Sequence, residues 1–246
     1  MRRGAWLLVL LSLAACAAPP RRPAPRLPPE VLGLLQELEA GWRGFEDLRG
    51  IAELTLERRE GSQRFVGPFL LRAPASLRFE ALSPLGQPLV VVAMDGERFT
   101  LYSVLEDRAV VGPATERAMG RWLDLPLPPT TLVALLAGHV VPLSEITAGM
   151  VVEEAGQLRL DLPQEGRFIQ RIWIDPSRRR AWRAEWEGHG TRLEALLGSD
   201  QSVTVTVPDR GTALSLRYRE RMLNVGLPMT QFRVELPEGV SVIQIP

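Results

Sequence analysis

The sequence offers few groups that could carry a reaction. Its histidines are His139 and His189, and its one cysteine is Cys16. An imidazole works as a base or a metal ligand only with a second group beside it, and neither histidine belongs to an H-x-x-x-H pair or a recognisable triad context. His139 follows Gly138 at the end of a leucine-rich segment, and His189 lies in a glycine-rich turn. Asp95-Gly96 and Asp175-Pro176-Ser177 are turn sequences before they are acids. One cysteine permits neither a disulfide nor a thiolate metal cluster within a chain. No glycine-rich phosphate loop is present. The expectation is a non-enzyme with no catalytic residue, no metal and no cofactor. Arg178-Arg179-Arg180 reads as a solvated loop that could meet acidic groups on a partner.

What remains is the chemistry of oily surface. In LSPLGQPL, residues 82–89, Pro84, Gly86 and Pro88 supply a turn, yet Leu85 occupies its tip. Such a leucine either folds back onto the protein's own core or stands in water for a purpose. Electrostatics points nowhere in particular: 29 basic residues balance 29 acidic ones, which gives no case for nucleic acid. Every basic residue is arginine, a composition read as codon bias.

The amino terminus, MRRGAWLLVLLSLAAC, has a basic start at Arg2-Arg3 and an apolar core from Ala5 to Ala15. That core is shorter than the roughly 20 residues of a membrane-spanning helix, so residues 1–15 read as a removable signal. Leu13-Ala14-Ala15-Cys16 resembles the lipobox of bacterial lipoproteins. The resemblance implies cleavage before Cys16, its modification with diacylglycerol, and usually a further acyl chain such as palmitate. One chain holds a protein only marginally, whereas two or three hold it almost permanently. Ala17, where an aspartate commonly favours inner-membrane retention, leans toward the outer membrane. Residues 16–29 then form a lipidated cysteine and a proline-rich tether, extended at about 3.1 Å per residue.

Residues 30–246 are long enough for a single domain with one sizeable core. A helix is predicted from Pro29, with Leu32, Leu35, Leu38, Trp42 and Phe45 as its apolar stripe. From Gly50 the period falls to two, and five strands in sequence with short turns predict an antiparallel meander. PLVVVAMD is apolar on both faces and so reads as a strand central in the sheet. Residues 113–138 interrupt with two short helices, TERAMGRWL capped by Thr115 and TLVALLAG ended by Gly138. The second is apolar nearly all round and must be covered. Strand patterns resume at 158–162, 168–174, 182–186, 203–207, 214–218 and 232–236. The sum is about ten or eleven strands with three helices.

A long antiparallel sheet interrupted midway by apolar helices is similar to the LolA/LolB class. LSPLGQPL, a strand pair, and then ATERAMGRWLDLPLPPTTLVALLAG resemble the LolB pattern of a PLG turn, a helix containing glycine, and a proline link to a leucine-rich helix. The match is specific over residues 78–138 and architectural over 45–78 and 155–220; beyond about residue 187 the chain departs from it. The resemblance implies a half-open antiparallel β-barrel with helices as a lid over its concave face. It implies a membrane-insertion loop formed by Pro84, Leu85 and Gly86, and an acyl cavity. Candidates for the lining are Leu54, Leu56, Phe69, Leu77, Phe79, Val91 and Leu101, with Leu132, Leu135 and Leu136 from the lid. It further implies an outer-membrane lipoprotein facing the periplasm, which takes acylated lipoprotein cargo from a LolA-type periplasmic carrier and delivers it to the inner leaflet of the outer membrane. A monomer is expected. Two alternatives stand beside this one: a structural or interaction lipoprotein with a filled core, and a carrier of another lipid.

Overall fold

The computed structural model describes residues 27–143, 149–154, 156–163, 169–188 and 190–246. Cys16, the signal segment, most of the tether, Phe168 and His189 lie outside the described residues. Helix α1 (Pro29–Arg43) begins on a proline, whose missing N–H is not needed in a first turn, and buries Val31, Leu34 and Leu35. Antiparallel hairpins follow: β1 (Asp47–Arg58), β2 (Gly61–Arg72), β3 (Ser76–Leu82), β4 (Pro88–Asp95), β5 (Arg98–Ser103) and β6 (Arg108–Pro113). Two helices interrupt them, α2 (Glu116–Trp122) and α3 (Pro129–Leu136). A second series then runs β7 (Met150–Glu154), β8 (Gln157–Pro163), β9 (Ile169–Asp175), β10 (Arg180–Gly188), β11 (Thr191–Leu197), β12 (Ser202–Val207) and β13 (Thr212–Leu223).

Strand β13 returns to pair with β1 and joins the two series. With β14 (Ser241–Gln244) parallel to β6, the result is one 14-stranded sheet, ordered β14-β6-β5-β4-β3-β2-β1-β13-β12-β11-β10-β9-β8-β7. Its ends do not meet, so the sheet is a half-open trough. This is the architecture expected from the sequence, with more strands than expected. Strand β11 was hidden because TRLEALL is rich in helix formers; pairing on both sides overrides that preference. Strands β7 and β14 were too short to show a period, and β6, RAVVGP, has no apolar–polar alternation. The strand expected at 232–236 does not form. Phe232 ends a 3₁₀ turn (Met229–Phe232), and the alternation of Phe232, Val234 and Leu236 reflects packing onto the sheet, not pairing within it.

Strands β2 and β3 approach unusually closely at Gly67. A Cβ on Gly67 would lie 1.7 Å from the Glu80 carbonyl oxygen, and the neighbouring Pro68 cannot donate to the ladder. Only glycine permits that approach. The large core fills the concave side, where α1, α2 and α3 cover it. A small second cluster on the convex side gathers Val91, Tyr102 and Ala109 under Val234, Leu236 and Val240 of the carboxy-terminal segment.

That segment is pinned to the convex face at several points in succession. The buried Asp47 carboxylate accepts the backbone N–H groups of Val225, Gly226 and Leu227 at 2.8–2.9 Å. The Asn224 side chain accepts from the Glu46 N–H and donates to the Gly44 carbonyl. Farther along, Arg78 donates to the Gln231 and Arg233 carbonyls. Removing a buried charged acceptor strands its donors, so Asp47→Ala is expected to cost about 2–4 kcal/mol. A urea midpoint, together with faster proteolysis within residues 224–246, measures it.

Candidate functional site

Between the concave face and the lid lies an apolar cavity of about 250 Å³. Leu54 and Leu56 of β1, Phe69 of β2, Leu77 and Phe79 of β3, Leu101 of β5 and Leu132 and Leu136 of α3 line it. Two expected residues do not. Leu135 is fully buried in the core but does not line the cavity. Val91 faces the convex side, in the cluster with Tyr102 and Ala109, while Val90 and Val92 line the cavity. The correction has a physical reason. Both faces of β4 are covered, so its alternation carries no phase from which to choose. Phe65, Ala81, Trp122, Leu123, Leu125 and Leu214 also line the wall. Trp122 ends α2 and Leu123 caps it, on the apolar side of the helix expected from the sequence, while Leu125 lies beyond the cap, where helical periodicity stops. The volume falls just below the roughly 300–1,000 Å³ of sites for drug-sized ligands. There is room for a stretch of hydrocarbon chain, and more only if the lid moves.

Strand direction shows where the cavity opens. Its exposed lining residues, Arg58 and Gln63, belong to the tip of the β1–β2 hairpin. The loops β3–β4 and β5–β6 turn at the same end, where the Val104 N–H donates to the Leu89 carbonyl at 2.9 Å. Leu85 is 87% exposed there, at the tip of a turn closed by the Gly86 N–H donating to the Ser83 carbonyl. Gly86 has φ +79°, a value its missing Cβ permits. Pro84 is also exposed. The oily tip therefore stands in solvent, beside the mouth of the cavity.

An ionic cluster fastens the lid at this mouth. Asp124, just beyond α2, pairs with Arg58 of β1 at 3.0 Å and lies 3.8 Å from Arg210 in the β12–β13 turn. Arg210 also donates to the Gly120 carbonyl of α2. From the far side Tyr218 donates to the Leu136 carbonyl of α3 at 2.9 Å, and burial raises the phenol's pKa. Arg179 pairs with Glu37 of α1, Arg178 lies near Asp175, and Arg180 donates to the Leu197 and Gly198 carbonyls. The arginine run thus braces the fold instead of forming an anion site.

His139 is packed among aromatic rings. It sits where α3 ends, its ring 5.8 Å from that of Trp42 and 5.9 Å from that of Phe45. Burial, helped by the charge of Arg221, lowers its pKa. Among the described residues no group of three or more His, Cys, Asp or Glu converges as a metal site would need. Among the same residues, no helix is long and apolar enough to cross a membrane.

No protein-family profile matches the sequence, and no curated protein is significantly similar to it. Solved structures are. One is a LolA-superfamily protein from Nitrosomonas europaea, with a TM-score of 0.54 and 10% identity over 82% of this chain and 97% of that one. Another is a DUF1329-family protein from Desulfovibrio piger, with a TM-score of 0.53 and 10% identity over 82% and 95%. At such identities the likeness is one of fold. The half-open sheet under a helical lid is a LolA-like fold.

Partly exposed ion pairs contribute about 0.2–1 kcal/mol each. Asp124→Asn, which keeps the side chain's shape and tolerates the residue's φ of +58°, is therefore expected to speed hydrogen exchange at Met119, Leu123 and Leu125 a few-fold, with no change in the sheet. His139 has a folded pKa below the unfolded value of about 6.5. The unfolded chain then binds the proton more readily, so this contribution to stability is complete above about pH 6.5 and lost as pH falls toward the folded pKa. Urea midpoints between about pH 8 and pH 5 should fall for the natural chain and fall less for His139→Phe.

Proposed function

We propose that this chain is a LolB-type acceptor, held in the outer membrane by acyl chains on Cys16, which takes acylated lipoproteins from a LolA-type periplasmic carrier and delivers them to the bilayer. The observation that carries this reading is the apolar hollow opening at the end of the sheet where Leu85 stands exposed. An acyl chain in water is costly, and the walls of the cavity offer it leucine, valine and phenylalanine. The LolA-like fold supports the reading, because it is a trough with a lid. No bond is made or broken. Transfer runs down a gradient of affinity, from the carrier to this cavity to the bilayer, and needs no nucleotide.

Each component then has a task. The Asp124 cluster ties the lid down at the mouth and yields when hydrocarbon enters. Leu85 brings the mouth to the lipid surface: burying one leucine gains about 1.5–3 kcal/mol, enough to bias contact without trapping the domain. The modest volume of the hollow favours one alternative, a carrier for a lipid with a single chain. Mass spectrometry of the ligand that copurifies with the protein discriminates between the two.

The test is transfer. A Cys16→Ser chain, freed from its anchor, is expected to draw a triacylated lipoprotein from a LolA-type carrier; failure to do so overturns the acceptor reading. Leu85→Glu is expected to keep this uptake while delivery to vesicles falls about tenfold or more. Unchanged delivery would return Leu85 to an ordinary turn.

A further inference from the structure

A second leucine stands beside the first. Leu105 is 78% exposed at the β5–β6 turn, and that turn is joined to the β3–β4 loop by the Val104-to-Leu89 hydrogen bond at 2.9 Å. Val90 pairs with Ser103 in the strands just inside. The two most exposed large hydrophobic residues of the described chain, Leu85 and Leu105, therefore crown adjacent hairpins at one end of the sheet. Single exposed leucines are ordinary. Two on neighbouring tips, both projecting away from the domain, are a different matter.

We propose that Leu85 and Leu105 together form a two-pronged membrane-contact edge, with the Leu105 hairpin entering the bilayer alongside the Leu85 loop. The proposal rests on the acceptor reading for its purpose, but makes a claim of its own about Leu105. Three observations select a bilayer as the occupant. The cavity mouth, marked by Arg58 and Gln63, opens at this same end. So does the start of the described chain: Leu27 packs beside Gly149 and Leu162, next to the finish of β8, and that finish lies at the end bearing the hairpin tips because β8, β9 and β10 pair antiparallel in turn. The segment leading back to Cys16 thus leaves from the edge that carries the leucines. Third, separate protruding tips suit a fluid surface, whereas a protein socket calls for one continuous patch.

Charge adds little to the contact. Beside Leu105 stand Glu106, Asp107 and Arg108, and the β1–β2 tip carries Arg58, Arg59 and Glu60. Acids and bases balance along the edge, so the contact depends on inserted hydrocarbon and depends weakly on salt or on anionic lipid.

Labelling tests this in the full, lipidated chain. Cys16 carries its lipid through sulfur, so a cysteine introduced by Leu85→Cys, Leu105→Cys or, at the opposite end, Glu97→Cys is the only free thiol. Each variant receives an environment-sensitive fluorophore and is reconstituted in vesicles of phosphatidylethanolamine and phosphatidylglycerol. The label is expected to shift to the blue, and to be quenched by spin-labelled lipid, at 85 and at 105 but not at 97. Raising the salt to 0.5 M, or omitting phosphatidylglycerol, is expected to leave both signals in place. A label at 85 that inserts while the one at 105 stays in water overturns the second prong and spares the acceptor reading. Labels that both stay in water overturn membrane contact by this edge altogether. A signal at 105 that appears only when a carrier protein is added, or that vanishes in salt, assigns the tip to a protein or to charge and also overturns the proposal. Leu105→Ser should lower delivery about tenfold, and near-UV circular dichroism should match that of the parent, because the side chain stands largely in solvent.

Discussion

Everything in this molecule depends on covering the inside of a bent sheet. Fourteen strands present their apolar side to one hollow, and such a surface left in water would cost far more than the few kcal/mol by which folded chains are stable. Helix α3 meets that demand. It buries Thr131 through Leu136 without interruption, which only an element set wholly inside can do. Because α3 is short and the trough is long, the cover is incomplete near the β1–β2 tip. The cavity is what remains.

The lid is held in two different ways, and the difference matters. At the inner side the hold is buried and directional: Tyr218 donates to the Leu136 carbonyl, and its neighbours are packed on every side. At the mouth the hold is ionic, partly wetted and shared among Arg58, Arg210 and Asp124. Buried contacts open at nearly the full cost of unfolding, while exposed pairs open for a fraction of it. The lid is built to give way at the mouth and to stay fixed at its root.

The sequence made some of this legible and concealed the rest for identifiable reasons. Alternation along β1, β2 and β3 identified Leu54, Phe69 and Phe79 because apolar residues there alternate with polar ones such as Glu53, Arg78 and Glu80, which marks the face turned to the core. The same logic failed for Val91, whose strand lies between the core and the carboxy-terminal segment. Turn chemistry around Pro84 and Gly86 singled out Leu85. Leu105 lacked such a frame, since SVLEDR shows neither proline nor glycine, and only the pairing of β5 with β6 places it at a tip. The Arg58–Asp124 pair joins residues far apart in the chain, and no local pattern could announce it. Likewise the 232–236 segment alternates as strands do, yet it lies across the sheet instead of within it.

The sheet has two unpaired borders, and they are finished differently. At one border β14 lies along β6, so the last residues of the chain occupy the hydrogen bonds that another molecule could otherwise claim. At the other, β7 is five residues long and ends in exposed Glu153 and Glu154, with Glu154 paired to Arg159. Brevity and negative charge there discourage strand-to-strand polymerisation. A chain trimmed before Ser241 would leave the outer side of β6 bare and offer a second copy a ready seam.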